Sequence, residues 1–167
     1  MDEFDAIAAS LATFMKRLDE GDSARFNELR KCSFFDPIPS EWLSHIARHI
    51  DIREFSSGDR LTSEDGDMDA FYIVLFGKAN AYYNSQIVGT ISAGECIGEG
   101  MFFASKSITR SATVVADGHV VAAVIRKAGI DNLFNDAQAK TYMDKALLIA
   151  LFKKLQGANR RIVELLR

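Results

Sequence analysis

Long apolar runs are missing from this chain. No stretch reaches about 18 consecutive apolar residues, so no membrane-spanning helix is expected. The acidic start, Met1-Asp2-Glu3-Phe4-Asp5, does not read as a secretory leader. Cysteine is scarce. Cys32 and Cys96 are the only two, far apart, and read as buried reduced thiols of a cytoplasmic protein rather than a metal or redox pair. Histidine is limited to three residues. His45 and His49 share a predicted helix, but no Glu follows His45 as a metalloprotease requires, and His119 is distant. Surface or half-buried histidines are the better reading. No Ser-His-Asp order with a nucleophile elbow is present. The run Glu64-Asp65-Gly66-Asp67-Met68-Asp69 lacks the spacing to a bidentate Glu that a calcium loop needs. Neither a metal nor a catalytic centre is expected. An excess of one charge is also lacking: the formal net charge is −3, with no global pull toward nucleic acid or an anionic membrane.

What is present reads as three segments of one soluble protein. Its 167 residues, 48% hydrophobic, suffice for one domain with a proper core, or a domain with helical arms. Residues 1–50 read as helices. Phe4, Ile7, Ala8, Leu11, Met15 and Leu18 recur at helical spacing over residues 2–19. Asp2, Glu3 and Asp5 suit its first turn, and Gly21 should stop it. A short helix over Ser23–Lys31 follows, then one capped by Ser40 that buries Trp42, Leu43, Ile46 and Ile50. Residues 51–128 change texture. Strand-like runs at 71–75, 78–83, 86–91, 111–116 and 119–126 alternate with glycine turns, which argues for a sandwich or roll. Residues 129–167 return to helix, capped by Asp136 or Asp131 and running from about Ala139 to Leu166.

One stretch carries the chemistry. Glu99 sits between Gly98 and Gly100, and Arg110 follows a polar turn and opens a strand-like run. Glycines let backbone N–H groups approach an anion, a guanidinium grips a phosphate, and a carboxylate accepts from a sugar hydroxyl. Together they suit a compact sugar phosphate.

This stretch resembles the phosphate-binding cassette of the cyclic-nucleotide-binding domain family, in which a Phe-Gly-Glu-x-Ala core precedes Arg-x-Ala-x-Val. The matching residues are Gly98, Glu99, Arg110, Ala112 and Val114. The resemblance extends upstream from Phe55 to Lys78, through Gly58-Asp59, Gly66, Phe71-Tyr72-Ile73 and Gly77-Lys78. It implies an eight-stranded double-stranded β-helix, or jelly roll, with N-terminal helices and a long C-terminal helix. It implies cAMP or cGMP as ligand, with Glu99 on the ribose 2′-hydroxyl and Arg110 on the phosphate. Backbone amides at Gly98, Glu99, Gly100, Met101, Ser111 and Ala112 would complete the cradle. The chain departs from the pattern in three places: Ile97 replaces an aromatic, Met101 stands where a small residue is usual, and the loop from Glu99 to Arg110 is longer. Met101 is expected either to crowd the ligand or to pack into the core.

The last helix carries Leu148, Phe152, Leu155, Asn159, Ile162 and Leu166 in alternating steps of four and three, an a/d seam. It either packs on its own β-roll or makes a parallel homodimer with Asn159 in the seam. The stretch Lys154–Arg161 is similar to the dimer helix of catabolite-activator-type proteins, which implies Asn159 as a base contact. The basic band Lys153, Lys154, Arg160 and Arg161 reads as a solvated face. The expected function is a cyclic-nucleotide-sensing regulatory module, not an enzyme, signalling through its last helix. A dimerisation module with a degenerate pocket and the sensory half of a transcription regulator stay open. In such a regulator a helix-turn-helix would follow about where Arg167 stands. No DNA-binding domain is readable in the chain itself, and no membrane partner is expected.

Overall fold

A computed structural model describes residues 3–102 and 109–167. Asp2, the Phe4 side chain and residues 103–108 of the loop from Glu99 to Arg110, on which expectations above rested, lie outside the described residues.

Three helices lead in: α1 (Glu3–Asp19), α2 (Asp22–Lys31) and α3 (Ser40–Ala47). In α1, Glu3 and Asp5 at the first turn and Lys16 and Arg17 at the last both oppose the helix dipole. Gly21, at φ 114°, makes the break to α2. The apolar stripe of α1 is only partly used. Leu18 is buried and Phe14 stacks on Phe76 at 5.7 Å, but Ile7 is exposed. At α3 the N-cap is Pro39 with no side-chain cap, so Ser40 is the first helical residue rather than the cap. Leu43, Ile46 and Ile50 are buried as expected, and Trp42 is half-buried.

Six strands follow among the described residues: β1 (Asp51–Phe55), β2 (Arg60–Thr62), β3 (Ala70–Tyr83), β4 (Gln86–Ser92), β5 (Cys96–Ile97) and β6 (Thr113–Arg126). All pairings are antiparallel, in the order β1-β6-β3-β4, with β2 on β6 and β5 on β3. The expectation of eight strands differs from the observed six for a physical reason. The runs 71–75 and 78–83 are one strand, carried through Gly77 at φ 83°, where any Cβ would run into the His119 carbonyl. The runs 111–116 and 119–126 likewise join through Gly118 at φ 81°. Glycine bends these strands without ending them, with register shifts between Val74 and Lys78 absorbing the bend.

The two long strands are buried on both faces, which is why Phe71–Val74 and Val120–Ile125 read as continuous apolar runs. Phe71, Ile73 and Ile125 point into a core shared with the helices, among them Leu29, Phe35 and Leu43. Tyr72, Val74 and Val124 point the other way, into the interior of the roll with Phe55, Val114 and Val120.

The chain closes with α4 (Lys127–Phe134) and α5 (Ala137–Leu165). Asp136 caps α5, accepting from the Gln138 and Ala139 amides at 2.9 and 3.1 Å. The first half of α5 is anchored by Ala139, Met143, Ala146 and Leu147 in the helical core. From Leu155 onward every residue is exposed. The seam Leu148, Phe152, Leu155, Ile162 and Leu166 therefore does not pack on its own roll: Leu155 is 59% and Ile162 55% exposed.

Candidate ligand-binding cavity

Between the roll and the outer half of α5 lies a cavity of about 560 Å³. Its floor comes from β5 and the turn after it, Ile97 to Gly100, and from Arg110 to Ala112, which lead into β6. Apolar side chains of Met68, Ala81, Val88, Ile91 and Val114 line the roll side. Lys153, Lys154, Gly157, Ala158 and Arg161 form the α5 side. Four described lining residues are cationic (Arg110, Lys153, Lys154, Arg161) and two carry carboxylates (Glu95, Glu99), so the cavity favours an anion.

Arg110 is its centre. The residue is only 4% exposed and stacks over Tyr72 at 5.7 Å. Its backbone is fixed by exchange with the turn before β3: Arg110 N donates to the Gly66 carbonyl and Asp65 N to the Arg110 carbonyl, both at 2.9 Å. Its side chain clamps the same turn. Nε donates to the Asp67 carbonyl at 3.1 Å, and Nη2 to the Ala70 carbonyl at 2.7 Å and the Asp69 carboxylate at 3.0 Å. Of the five guanidinium N–H groups three are thereby used. Nη1 is buried with no hydrogen-bond partner among the described residues. It abuts Gly98, at φ 87°, where an added Cβ would collide with it. An unpaired buried donor is costly, and this one belongs to a fixed positive charge in the cavity wall. A phosphate oxygen at Nη1 fits the residues present.

Glu99 opens a 3₁₀ turn, Glu99–Phe102, whose leading amides have no helical acceptor. Its carboxylate is held by Lys154 of α5 at 2.6 Å, with both side chains mostly buried. This pair ties the turn to α5. Thr62 pins the strand behind, donating to the Ala112 carbonyl at 3.2 Å. Burial pushes the thiol of Cys96, on the same wall, up to about 12, which leaves it inert.

Six of the eight residues singled out in the sequence meet here: Gly98, Glu99, Gly100, Arg110, Ser111 and Ala112. Met101 does not line the cavity. It packs against the helical core, its amide donating to the Gly98 carbonyl at 3.2 Å, and the methionine at the cavity is Met68. Asn159 also lies outside the cavity, exposed among the seam residues. At 3.6 residues per turn the seam sits about 150° round α5 from Lys154, Gly157 and Arg161. The sequence reading missed the cavity role of Lys154 and Arg161; both belong to the basic band read there as a solvated face. Among the described residues no His, Cys, Asp and Glu group suits a metal ion, and no helix is long and apolar enough to cross a membrane.

A family model described as "Cyclic nucleotide-binding domain" matches residues 52–137, which is 86 of the 167 residues. The chain belongs to the cyclic nucleotide-binding domain family. No curated protein matches it in sequence. Solved structures resemble this cyclic nucleotide-binding domain in fold. One is a cyclic nucleotide-binding domain from Methylobacillus flagellatus KT, at TM-score 0.74 and 20% identity, covering 84% of this chain and 83% of that one. Another is a cyclic nucleotide-binding protein from Geobacter metallireducens GS-15, at TM-score 0.67 and 21% identity, covering 77% and 96%. A third is the regulatory domain of Toxoplasma gondii protein kinase A with cAMP, at TM-score 0.63 and 21% identity; 86% of this chain matches 51% of that one. The β-roll fold of this family is the one observed here.

Proposed function

We propose that this cyclic nucleotide-binding domain is a regulatory module that senses cAMP or cGMP in the cytoplasm and signals through α5. The observation that carries the reading is the buried Arg110, with Nη1 unpaired among the described residues beside Gly98 in a cationic cavity. The cyclic phosphate accepts from Nη1 and from the amides of Glu99, Gly100, Ser111 and Ala112. The ribose 2′-hydroxyl donates to Glu99. The remaining three donors of Arg110 stay on the turn before β3, so the grip uses one nitrogen rather than two.

Signalling follows from the Glu99–Lys154 pair. A ribose hydroxyl competes with Lys154 for the carboxylate, so the nucleotide changes how α5 is held. Coupling free energies between such sites are commonly about 1–3 kcal/mol. The output surface is the exposed seam Leu148–Leu166, which forms a parallel homodimer with Asn159 among its apolar residues. Its exposure on the side of α5 away from the roll supports this. The domain is read as a regulator rather than an enzyme, in keeping with the family it belongs to.

Titration calorimetry of the chain with cAMP and with cGMP tests the reading. At least one should bind, and Glu99→Ala should weaken it by about tenfold or more, since a lost hydrogen bond to a charged group exceeds about 1.4 kcal/mol. The 2′-deoxy nucleotide should bind the parent chain as weakly as the natural one binds Glu99→Ala. No binding of either nucleotide at millimolar concentration refutes the proposal and favours a dimerisation module with a non-binding pocket.

A further inference from the structure

Gly100 is a glycine for room rather than for backbone shape. It is not among the residues at positive φ, so its backbone would accept a side chain. What opposes one is Met68: a Cβ on Gly100 would stand 3.1 Å from the Met68 Cε and 3.8 Å from its Sδ. The thioether therefore lies on the turn after β5, in the space a side chain at position 100 would take. It is half-buried there and lines the cavity. Arg110 holds the Met68 backbone from both sides. It donates to the Asp67 carbonyl before Met68, and to the Asp69 carboxylate and the Ala70 carbonyl after it. One guanidinium thus fixes the residue that covers the turn, and the leading amides of that turn have no helical acceptor. The other described methionines are placed differently. Met143 is fully buried, Met101 packs against the helical core, and Met15 of α1 does not line the cavity.

We infer that Met68 is an oxidative modification site whose sulfoxide weakens anion binding in this cavity. This rests on the cyclic-nucleotide reading above. Hydrogen peroxide transfers one oxygen atom to Sδ: a sulfur lone pair forms the S–O bond, the O–O bond breaks, and the peroxide leaves as water. Sulfur is oxidised by two electrons and the peroxide reduced by two. A flexible apolar side chain becomes a polar one. The new oxygen is a strong acceptor one bond from Sδ, beside amides that lack acceptors. It takes donors that a phosphate would otherwise use. The apolar packing of the thioether on Gly100 is lost in the same step.

Calorimetry of the whole chain with cAMP and with cGMP, before and after hydrogen peroxide, tests this, with peptide mass spectrometry locating the added oxygen. Once Met68 is oxidised, whichever nucleotide binds the untreated chain should bind about tenfold more weakly, the scale of one hydrogen bond to a charged group. Methionine sulfoxide reductases of both epimer specificities, with a thiol reductant, should restore the affinity. Met68→Leu has no sulfur at this position, so its affinity should be the same before and after peroxide. Three results overturn the modification site and leave the cyclic-nucleotide reading standing: unchanged affinity with Met68 fully oxidised, an equal loss in Met68→Leu, or Met68 left intact by peroxide that oxidises Met15. Failure of the untreated chain to bind either nucleotide overturns both.

Discussion

Arg110 is a structural clamp as well as the proposed phosphate residue, and Arg110→Met separates the two roles. Methionine keeps much of the stem volume and removes the head group. Two contacts to backbone carbonyls disappear, a part-buried one from Nε to Asp67 and a buried one from Nη2 to Ala70. The third, to the Asp69 carboxylate, counts for little, because Asp69 is 69% exposed and screened by water. Hydrogen bonds from a charged donor are worth about 1.5–3 kcal/mol each. Against that loss, a buried charge and its unpaired Nη1 are removed, which returns part of their desolvation cost. A net destabilisation of about 2–4 kcal/mol results. For a chain of this length each kcal/mol lowers the melting temperature by about 2–4 °C, giving a drop of roughly 4–16 °C. Thermal and urea unfolding without nucleotide measure it, with Asp69→Asn as the control that should cost less than about 1 kcal/mol. An Arg110→Met melting temperature within about 1 °C of the parent would refute the clamp. So would an Asp69→Asn loss as large as that of Arg110→Met. The first result would leave Arg110 with the proposed ligand as its sole use; the second would move its stabilising role from the carbonyls to the Asp69 pair.

Two further outcomes follow from the same contacts. If ribose and Lys154 compete for Glu99, Lys154→Met should tighten cyclic-nucleotide binding about threefold or more by calorimetry, the scale of a partly buried pair; unchanged or weaker binding would mean that lysine and ligand share the carboxylate. Sedimentation of the parent chain should show a dimer, and Leu155→Asp with Ile162→Asp a folded monomer whose melting temperature falls only by the lost association, because both residues are exposed within one chain; a monomeric parent at high micromolar concentration would refute the seam.

The cassette was legible because its chemistry is local. Gly98, Glu99, Arg110 and Ala112 lie close in sequence and meet in one wall of the cavity. What escaped the sequence depends on distance or on length. Lys154 reaches Glu99 across 55 residues, and Arg110 clamps Asp67 across 43; no periodicity encodes either. Met101 and Met68 are alike in chemistry, and only the turn after β5 decides that Met101 goes to the core. The strand runs on either side of Gly77 and Gly118 were read correctly as β, but a glycine bend and a glycine stop look the same in sequence. β2 and β5, of three and two residues, are too short to show alternation. The eight residues of α4 escaped because Gly129 interrupts their pattern, although its Cβ position, 3.4 Å from the His49 Cβ and the Ile125 Cγ2, shows that close packing favours a small residue there.

α5 is one helix by geometry and two by free energy. Up to Leu147 it is held by the core; from Leu155 every residue is exposed, and an unfavourable glycine, Gly157, stands within the helix. Its outer turns therefore open on their own, far more often than the domain unfolds, and their amides should exchange with deuterium orders of magnitude faster than those near Met143. Anything that settles on Gly157 from the cavity side, or on Ile162 from the other, must first order these turns and then slows that exchange. The two occupants share one ordering cost. Whichever arrives first lowers it for the second, so ligand and partner can favour each other with no movement in the roll at all.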